Sequence, residues 1–162
     1  MDQPGVQGDW VGVYGSRGYD LAAWNKTSDL VSIPNATVTV LQGTRTRWSS
    51  ATTAVRALEN PSQTQRRAAA YTHATEVRVR LNFSAAFTGT VNLYVVDWDS
   101  TARRATVSVD DGSGAKSLGL TTSFANGAWL HFPVSVVSGG TVTIRVTRTA
   151  GSGAVLSGIM LN

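Results

Sequence analysis

Apolar and polar residues alternate with a period of two along much of the chain. In the stretch EVRVRLNF, Val77 and Val79 share one parity with the other apolar residues, while Arg78 and Arg80 share the opposite parity. A strand that buries one face and exposes the other requires this alternation. The pattern predicts a half-buried strand with its arginines on the outer face.

Similar runs recur, whereas helical periodicity is hard to find. Short clusters rich in Gly, Ser, Asn and Asp separate the runs and predict turns at residues 15–18, 87–89, 110–114, 125–127, 138–140 and 151–153. Residues 53–70 have no clear period and are predicted to form a long connection between sheets. Strands are predicted at residues 10–14, 19–24, 36–42, 47–49, 75–83, 91–98, 104–109, 117–122, 128–136, 141–149 and 154–161.

The predicted fold is all-β, a single antiparallel β-sandwich of jelly-roll type that spans residues 1–162 as one domain. A length of 162 residues fits one domain, and a charged fraction of 15% is low. The net charge of +4 favours anionic partners slightly. Because the chain has no cysteine, disulfides and thiolate metal sites are excluded.

The segment DWDSTARR carries the densest candidate chemistry. Asp97 and Asp99 are two residues apart, as a pair of catalytic carboxylates could be, and Arg103 and Arg104 follow. The arginines favour ionised carboxylates, whereas a general acid needs a raised pKa, so a braced hairpin end is favoured over catalysis. A buried Asp97–Arg103 pair is a further explanation.

Other motifs are missing or incomplete. The segment lacks the glycine and the terminal glutamate of a calcium-binding EF-hand loop, and the two histidines stand apart without a zinc motif. The basic residues fit no nucleic-acid-binding pattern, and no apolar run is long enough for a membrane helix. We therefore expect neither nucleic acid nor a membrane as a partner.

The aromatic residues offer a binding surface instead. A tryptophan ring can fill a core or stack on the apolar face of a sugar ring. In the strands predicted at 91–98 and 128–136, alternation predicts that Tyr94, Trp98 and Trp129 point outward. They would lie beside a cationic face that contains Arg78 and Arg80. Two interpretations remain open at this point, a sugar-binding surface and an ordinary solvated sheet.

Three segments carry a resemblance to a known group of proteins: GDWVGVYGSRGYDLAAW, VNLYVVDWDSTARRATVSVDD and TVTIRVTRTAGSGAVLSGIMLN. They resemble the opening, the middle hairpin and the closing strands of galactose-binding-like β-sandwich modules, the sugar-binding domains of secreted bacterial polysaccharide-degrading enzymes. The resemblance implies a non-catalytic carbohydrate-binding module, secreted, monomeric and attached to a catalytic domain. It implies a polysaccharide or oligosaccharide ligand, bound with the help of Asp97, Trp98, Asp99 and Arg103. Such modules often hold a structural calcium, for which no motif here fixes the ligands.

Two alternatives stay open. One is a structural or adhesive β-sandwich of a surface or fibre protein, in which the aromatic residues are buried. The other is a small polysaccharide lyase or glycosidase that uses Asp97 and Asp99. The net charge tilts the expected ligand slightly toward an acidic polysaccharide.

Overall fold

The computed structural model describes residues 6–162, and strands account for all of its regular structure. Within these residues no helix is long and apolar enough to cross a membrane. The strands are β1 (Gly18–Leu21), β2 (Leu30–Ser32), β3 (Ala36–Gln42), β4 (Thr44–Ser49), β5 (Leu58–Glu59), β6 (Arg66–His73), β7 (Glu76–Phe83), β8 (Phe87–Val95), β9 (Arg104–Asp110), β10 (Ala115–Leu120), β11 (Ala128–Val136), β12 (Thr141–Ala150), β13 (Ala154–Leu156) and β14 (Gly158–Leu161).

Two five-stranded antiparallel sheets form the sandwich. Sheet A has the order β11-β8-β14-β1-β2, and sheet B has the order β10-β9-β12-β7-β3. Their inner faces share one apolar core, to which β7 contributes Val77 and Val79, and β8 contributes Leu93 and Val95. The predicted all-β antiparallel sandwich is confirmed, and so is the predicted alternation of β7, because its arginines lie on the outer face.

A smaller sheet, sheet C, has the order β13-β6-β4, with β5 added to β6. Its strand β13 continues through Ser157 into β14 of sheet A, so one stretch of chain serves two sheets. Strand β6 begins inside the segment 53–70 that was predicted to be a connection, so that prediction is wrong for residues 66–70. The reason is burial: Ala68 to Tyr71 are all buried, which removes the alternation that identifies a half-exposed strand.

Residues 6–17, the turn that holds Trp24 and the segment around Leu58 cover the outer face of sheet A. Their apolar side chains pack there against Tyr94, Val96 and Trp129, and we call this second cluster the aromatic layer. The strand predicted at residues 10–14 is wrong, since these residues form turns, and the turn predicted at 87–89 is the first part of β8. The buried members of the aromatic layer are Trp10, Leu21, Trp24, Leu58, Tyr94, Val96, Trp129 and Met160.

Candidate functional site

An open trough of about 460 Å³ lies over sheet C, between the β8–β9 loop and the β12–β13 loop. Its volume falls within the range of small-molecule binding sites, roughly 300–1,000 Å³. It combines one indole, three threonine hydroxyls, a histidine and a carboxylate beside a guanidinium. The trough is lined by Thr44, Thr46, Trp48, Thr72, His73, Ala74, Asp99, Arg103, Ser152, Gly153 and Ala154.

Trp48 lines the trough at a position where strand β4 bulges. Arg47 pairs with Ala69 and Ser49 pairs with Ala68, so Trp48 is an extra residue without a partner on β6. A bulge bends its strand and re-aims the side chain of the extra residue. The indole is half-buried, with part of it packed against the sandwich core and part of it left in the trough.

Threonine hydroxyls line the trough along β4 and β6. The Oγ1 atoms of Thr46 and Thr72 are 2.7 Å apart, and those of Thr44 and Thr72 are 3.4 Å apart. Each hydroxyl has one donor and two acceptor positions, so this cluster keeps hydrogen-bonding capacity beyond its internal bonds. The cluster can therefore bind the hydroxyls of a ligand.

Two glycines allow the β12–β13 loop to close one side of the trough. A Cβ atom on Gly151 would lie 2.7 Å from the Cα of Arg103, and one on Gly153 would lie 2.8 Å from the carbonyl oxygen of His73. Gly151 also has a positive φ of 82°, which other residues rarely adopt. These contacts seat the loop directly on the backbone that carries Arg103.

Arg103 joins the two aspartates that the sequence singled out. Its Nη1 atom lies 2.5 Å from Asp97 Oδ1 and 2.5 Å from Asp99 Oδ1, and its backbone N–H donates to Asp97 Oδ2. Asp97 is fully buried, whereas the Asp99 side chain is 47% exposed and faces the trough. The buried Asp97–Arg103 pair that the sequence raised as an explanation is therefore present.

This arrangement suits hydrogen bonding and not proton donation. The hydrogen bond from Arg103 lowers the pKa of Asp99, assisted by a hydrogen bond from Trp48, against a smaller effect of burial. A general acid must hold its proton near neutral pH, which an aspartate in this setting does not do. Asp99 is thus a permanent acceptor, suited to a sugar hydroxyl.

The structure buries Tyr94 and Trp129, so the prediction that they face solvent is wrong. Their parity was predicted correctly, since both point away from the sandwich core, but the aromatic layer covers that face. The Tyr94 hydroxyl donates to the Arg56 carbonyl at 2.8 Å, and Trp129 Nε1 donates to the Gln7 carbonyl at 2.8 Å. The covering segments thus take up both polar groups, and neither ring is available to a ligand.

Trp98 is half-buried and also lies outside the trough. The Arg56 guanidinium stacks on its ring at 4.0 Å from the centroid and donates to its carbonyl oxygen. One face of this indole is therefore occupied by Arg56. Only the other face is left for the sugar stacking that the sequence predicted. Of the residues carried over by resemblance, Asp99 and Arg103 line the trough, and Asp97 supports them from below.

Arg78 and Arg80 lie on the outer face of sheet B, away from the residues that line the trough. Arg78 donates to Glu76 at 2.6 Å, and Arg145 on the neighbouring strand reaches the same carboxylate at 4.0 Å. We call this outer face the arginine face. The alternation of its strands places four arginines and two carboxylates there, which gives a net charge of +2, and no aromatic ring: Arg78, Arg80, Arg104, Arg145, Glu76 and Asp110.

No metal site is assigned. Within residues 6–162, no group of three or more His, Asp or Glu side chains is placed to hold a metal ion. The carboxylates nearest the trough, Asp97 and Asp99, are both engaged by Arg103. The structural calcium that the resemblance implies stays a prediction without assigned ligands.

Known structures of similar fold include sugar-binding modules. No family model matches the chain, and a search of curated proteins found no match. The chain is similar to a family 35 carbohydrate-binding module from an environmental isolate, with 18% identity, 78% of this chain and 88% of that chain covered, and a TM-score of 0.45. It is similar to CBM35 from Cellvibrio japonicus Abf62, with 14% identity, coverage of 78% and 88%, and a TM-score of 0.48. It is also similar to part of an exo-beta-1,3-galactanase from Phanerochaete chrysosporium, with 22% identity, 82% of this chain but 30% of that chain covered, and a TM-score of 0.40.

Sequence reasoning missed Trp48 as a site residue. The signal was available in TRTRWS, where Thr44, Thr46 and Trp48 share one parity. Their partner strand β6 was not predicted, so nothing indicated that this row faces a concave surface. The bulge that aims the indole depends on tertiary pairing and has no signature in the local sequence.

Proposed function

We propose that this chain is a non-catalytic carbohydrate-binding module that binds a glycan in the trough over sheet C. The observation that carries the proposal is the placement of the half-buried Trp48 indole beside an ionised carboxylate and a cluster of threonine hydroxyls. An indole stacks on the apolar C–H face of a sugar ring, and the polar groups bind its hydroxyls. Sites of this kind combine apolar surface with a few placed polar groups.

The proposal extends to the setting of the module. It is secreted as a monomer beside an appended catalytic domain, and it holds that enzyme on its polysaccharide. The net charge of the chain favours an acidic polysaccharide slightly, and binding of such a polymer would use the arginine face, which carries a net charge of +2. The depressed pKa of Asp99 supports a binding role for this carboxylate and argues against glycoside hydrolysis.

The test compares Trp48→Ala with Trp98→Ala in affinity gels and by calorimetry against neutral and acidic polysaccharides. We expect Trp48→Ala to weaken glycan binding at least about tenfold, or ~1.4 kcal/mol, because the stacking surface is lost. Trp98→Ala should stay within about twofold of the parent, because Arg56 already occupies one face of that ring. Near-UV circular dichroism checks that both variants are folded.

The outcomes separate the alternatives. If no polysaccharide is retained by the parent protein, the structural or adhesive β-sandwich replaces this proposal. If Trp98→Ala abolishes binding and Trp48→Ala does not, the site lies at the end of β8 and the trough is not the binding surface.

A further inference from the structure

The charges of the trough and of the arginine face are opposite in sign. Beneath and beside the trough, two carboxylates share one guanidinium, which leaves a net charge of −1 on Asp97, Asp99 and Arg103 together. Of the described side chains that line the trough, His73 is the other titratable one, and it adds nothing to the formal charge count. The arginine face carries a net charge of +2.

The positive charge of Arg103 is mostly buried. Its side chain is 9% exposed, and Nη1 lies 2.5 Å from both aspartates. The Asp99 side chain, by contrast, is 47% exposed. A ligand in the trough therefore meets the carboxylate more fully than the guanidinium.

Resting on the proposed function, we propose that the trough selects uncharged glycans and rejects uronic acids. A uronate placed at the Asp99 hydroxyl-binding position would bring a second negative charge to within about 6 Å, where charge repulsion is expected to weaken binding about fivefold in a half-solvated site. The hydroxyls of a neutral sugar instead donate to the same oxygens. On this proposal the overall charge of +4 does not describe the trough, because part of the positive excess lies on the arginine face.

The experiment is retention in affinity gels at about 0.15 M salt, where the screening length is about 8 Å and distant charges contribute little. The panel sets galactan, xylan, mannan and β-glucan against polygalacturonate and alginate. The variants are Trp48→Ala, Asp99→Asn and the double variant Arg78→Ser/Arg80→Ser. We expect neutral polymers to be retained at least about fivefold more strongly than acidic ones, and retention of the neutral polymers to fall in Trp48→Ala.

Asp99→Asn tests the cause of the selection. It removes the exposed negative charge while it keeps an acceptor oxygen, so the ratio of acidic to neutral retention should rise about five- to tenfold. An unchanged ratio would show that Asp99 does not set the selection.

If acidic polymers are retained, the variants show whether they bind at the arginine face or in the trough. If their retention is lost in Arg78→Ser/Arg80→Ser and kept in Trp48→Ala, it belongs to the arginine face, and the proposal stands. If it is lost in Trp48→Ala and kept in the double variant, acidic glycans bind in the trough, and the proposal is overturned while carbohydrate binding remains. Retention of no polymer overturns the proposed function itself.

Discussion

The trough and the aromatic layer use the same kinds of residue for opposite purposes. Trp129 and Tyr94 lie on the outer face of sheet A, but residues 6–17 and the Arg56–Leu58 segment cover them and bind their polar groups. Trp48 lies on sheet C, where no segment covers it fully. The difference teaches that the parity of a strand residue identifies its face, and that other parts of the chain decide whether the face is open.

The largest expected effect concerns the aromatic layer. Trp129→Ala should lower the free energy of unfolding by about 3–5 kcal/mol, since it leaves a large cavity in a packed cluster. Denaturant unfolding followed by fluorescence measures the change. Trp98→Ala is the matched control and should cost clearly less, because its ring is only half-buried. Equal losses in the two variants would mean that the aromatic layer is no better packed than the surface around Trp98.

A second prediction compares the contributions to stability of Asp97, which is buried beneath the trough, and Asp99, which lines it. Asp97→Ala leaves the Arg103 guanidinium buried with one fewer partner and should cost about 3 kcal/mol or more. Asp99→Ala removes a half-exposed partner of the same guanidinium and should cost about 1 kcal/mol or less. Urea unfolding of the two variants measures the difference. A cost for Asp99→Ala as large as that for Asp97→Ala would show that the two carboxylates are equivalent supports.

A pH-dependent effect tests the link between the two regions. Tyr71 of β6 donates to Asp20 of β1 at 2.7 Å, and burial raises the pKa of Asp20 from 3.8 to about 7, against that hydrogen bond. The nearby Asp29 raises this pKa further, and Arg45 lowers it. Between about pH 4 and pH 7 the folded protein keeps a proton that the unfolded chain releases.

The free energy of unfolding should therefore fall as the pH rises from about 4 to about 7, by at most roughly 1.4 kcal/mol per pH unit from this group. Below pH 4 the contribution is complete, and above pH 7 it is lost. Thermal unfolding of the parent and of Asp20→Asn across this window measures it. The variant should show a flatter dependence, and parallel curves would mean that Asp20 titrates at its ordinary pKa.

The sequence predicted the sandwich well where strands bury one face. Strands β3 and β11 have the predicted bounds, and β7 differs by one residue, because alternation leaves a clear record in such segments. Strand β6 was missed, since residues 68–71 are buried on both faces and show no period of two. Residues 10–14 alternate weakly but form turns, because they pack over sheet A without pairing to it.

Only the part of the candidate site that is local in sequence was predicted. Asp99 and Arg103 follow one strand within a few residues, so their proximity could be inferred from spacing alone. Trp48 joins them across sheet C, and Tyr94 and Trp129 were placed on a face whose cover is distant in the sequence. Local spacing thus predicts contacts within a loop, whereas the openness of a surface depends on segments far along the chain.

The bulge in β4 has a consequence for how such a protein could change its ligand. Because Trp48 pairs with no residue of β6, exchanging it for tyrosine, phenylalanine or histidine leaves the register of the neighbouring strands intact. The position can therefore vary in ring size and polarity while the surrounding scaffold stays the same. Libraries randomised at this one codon offer an economical route to modules with new sugar preferences.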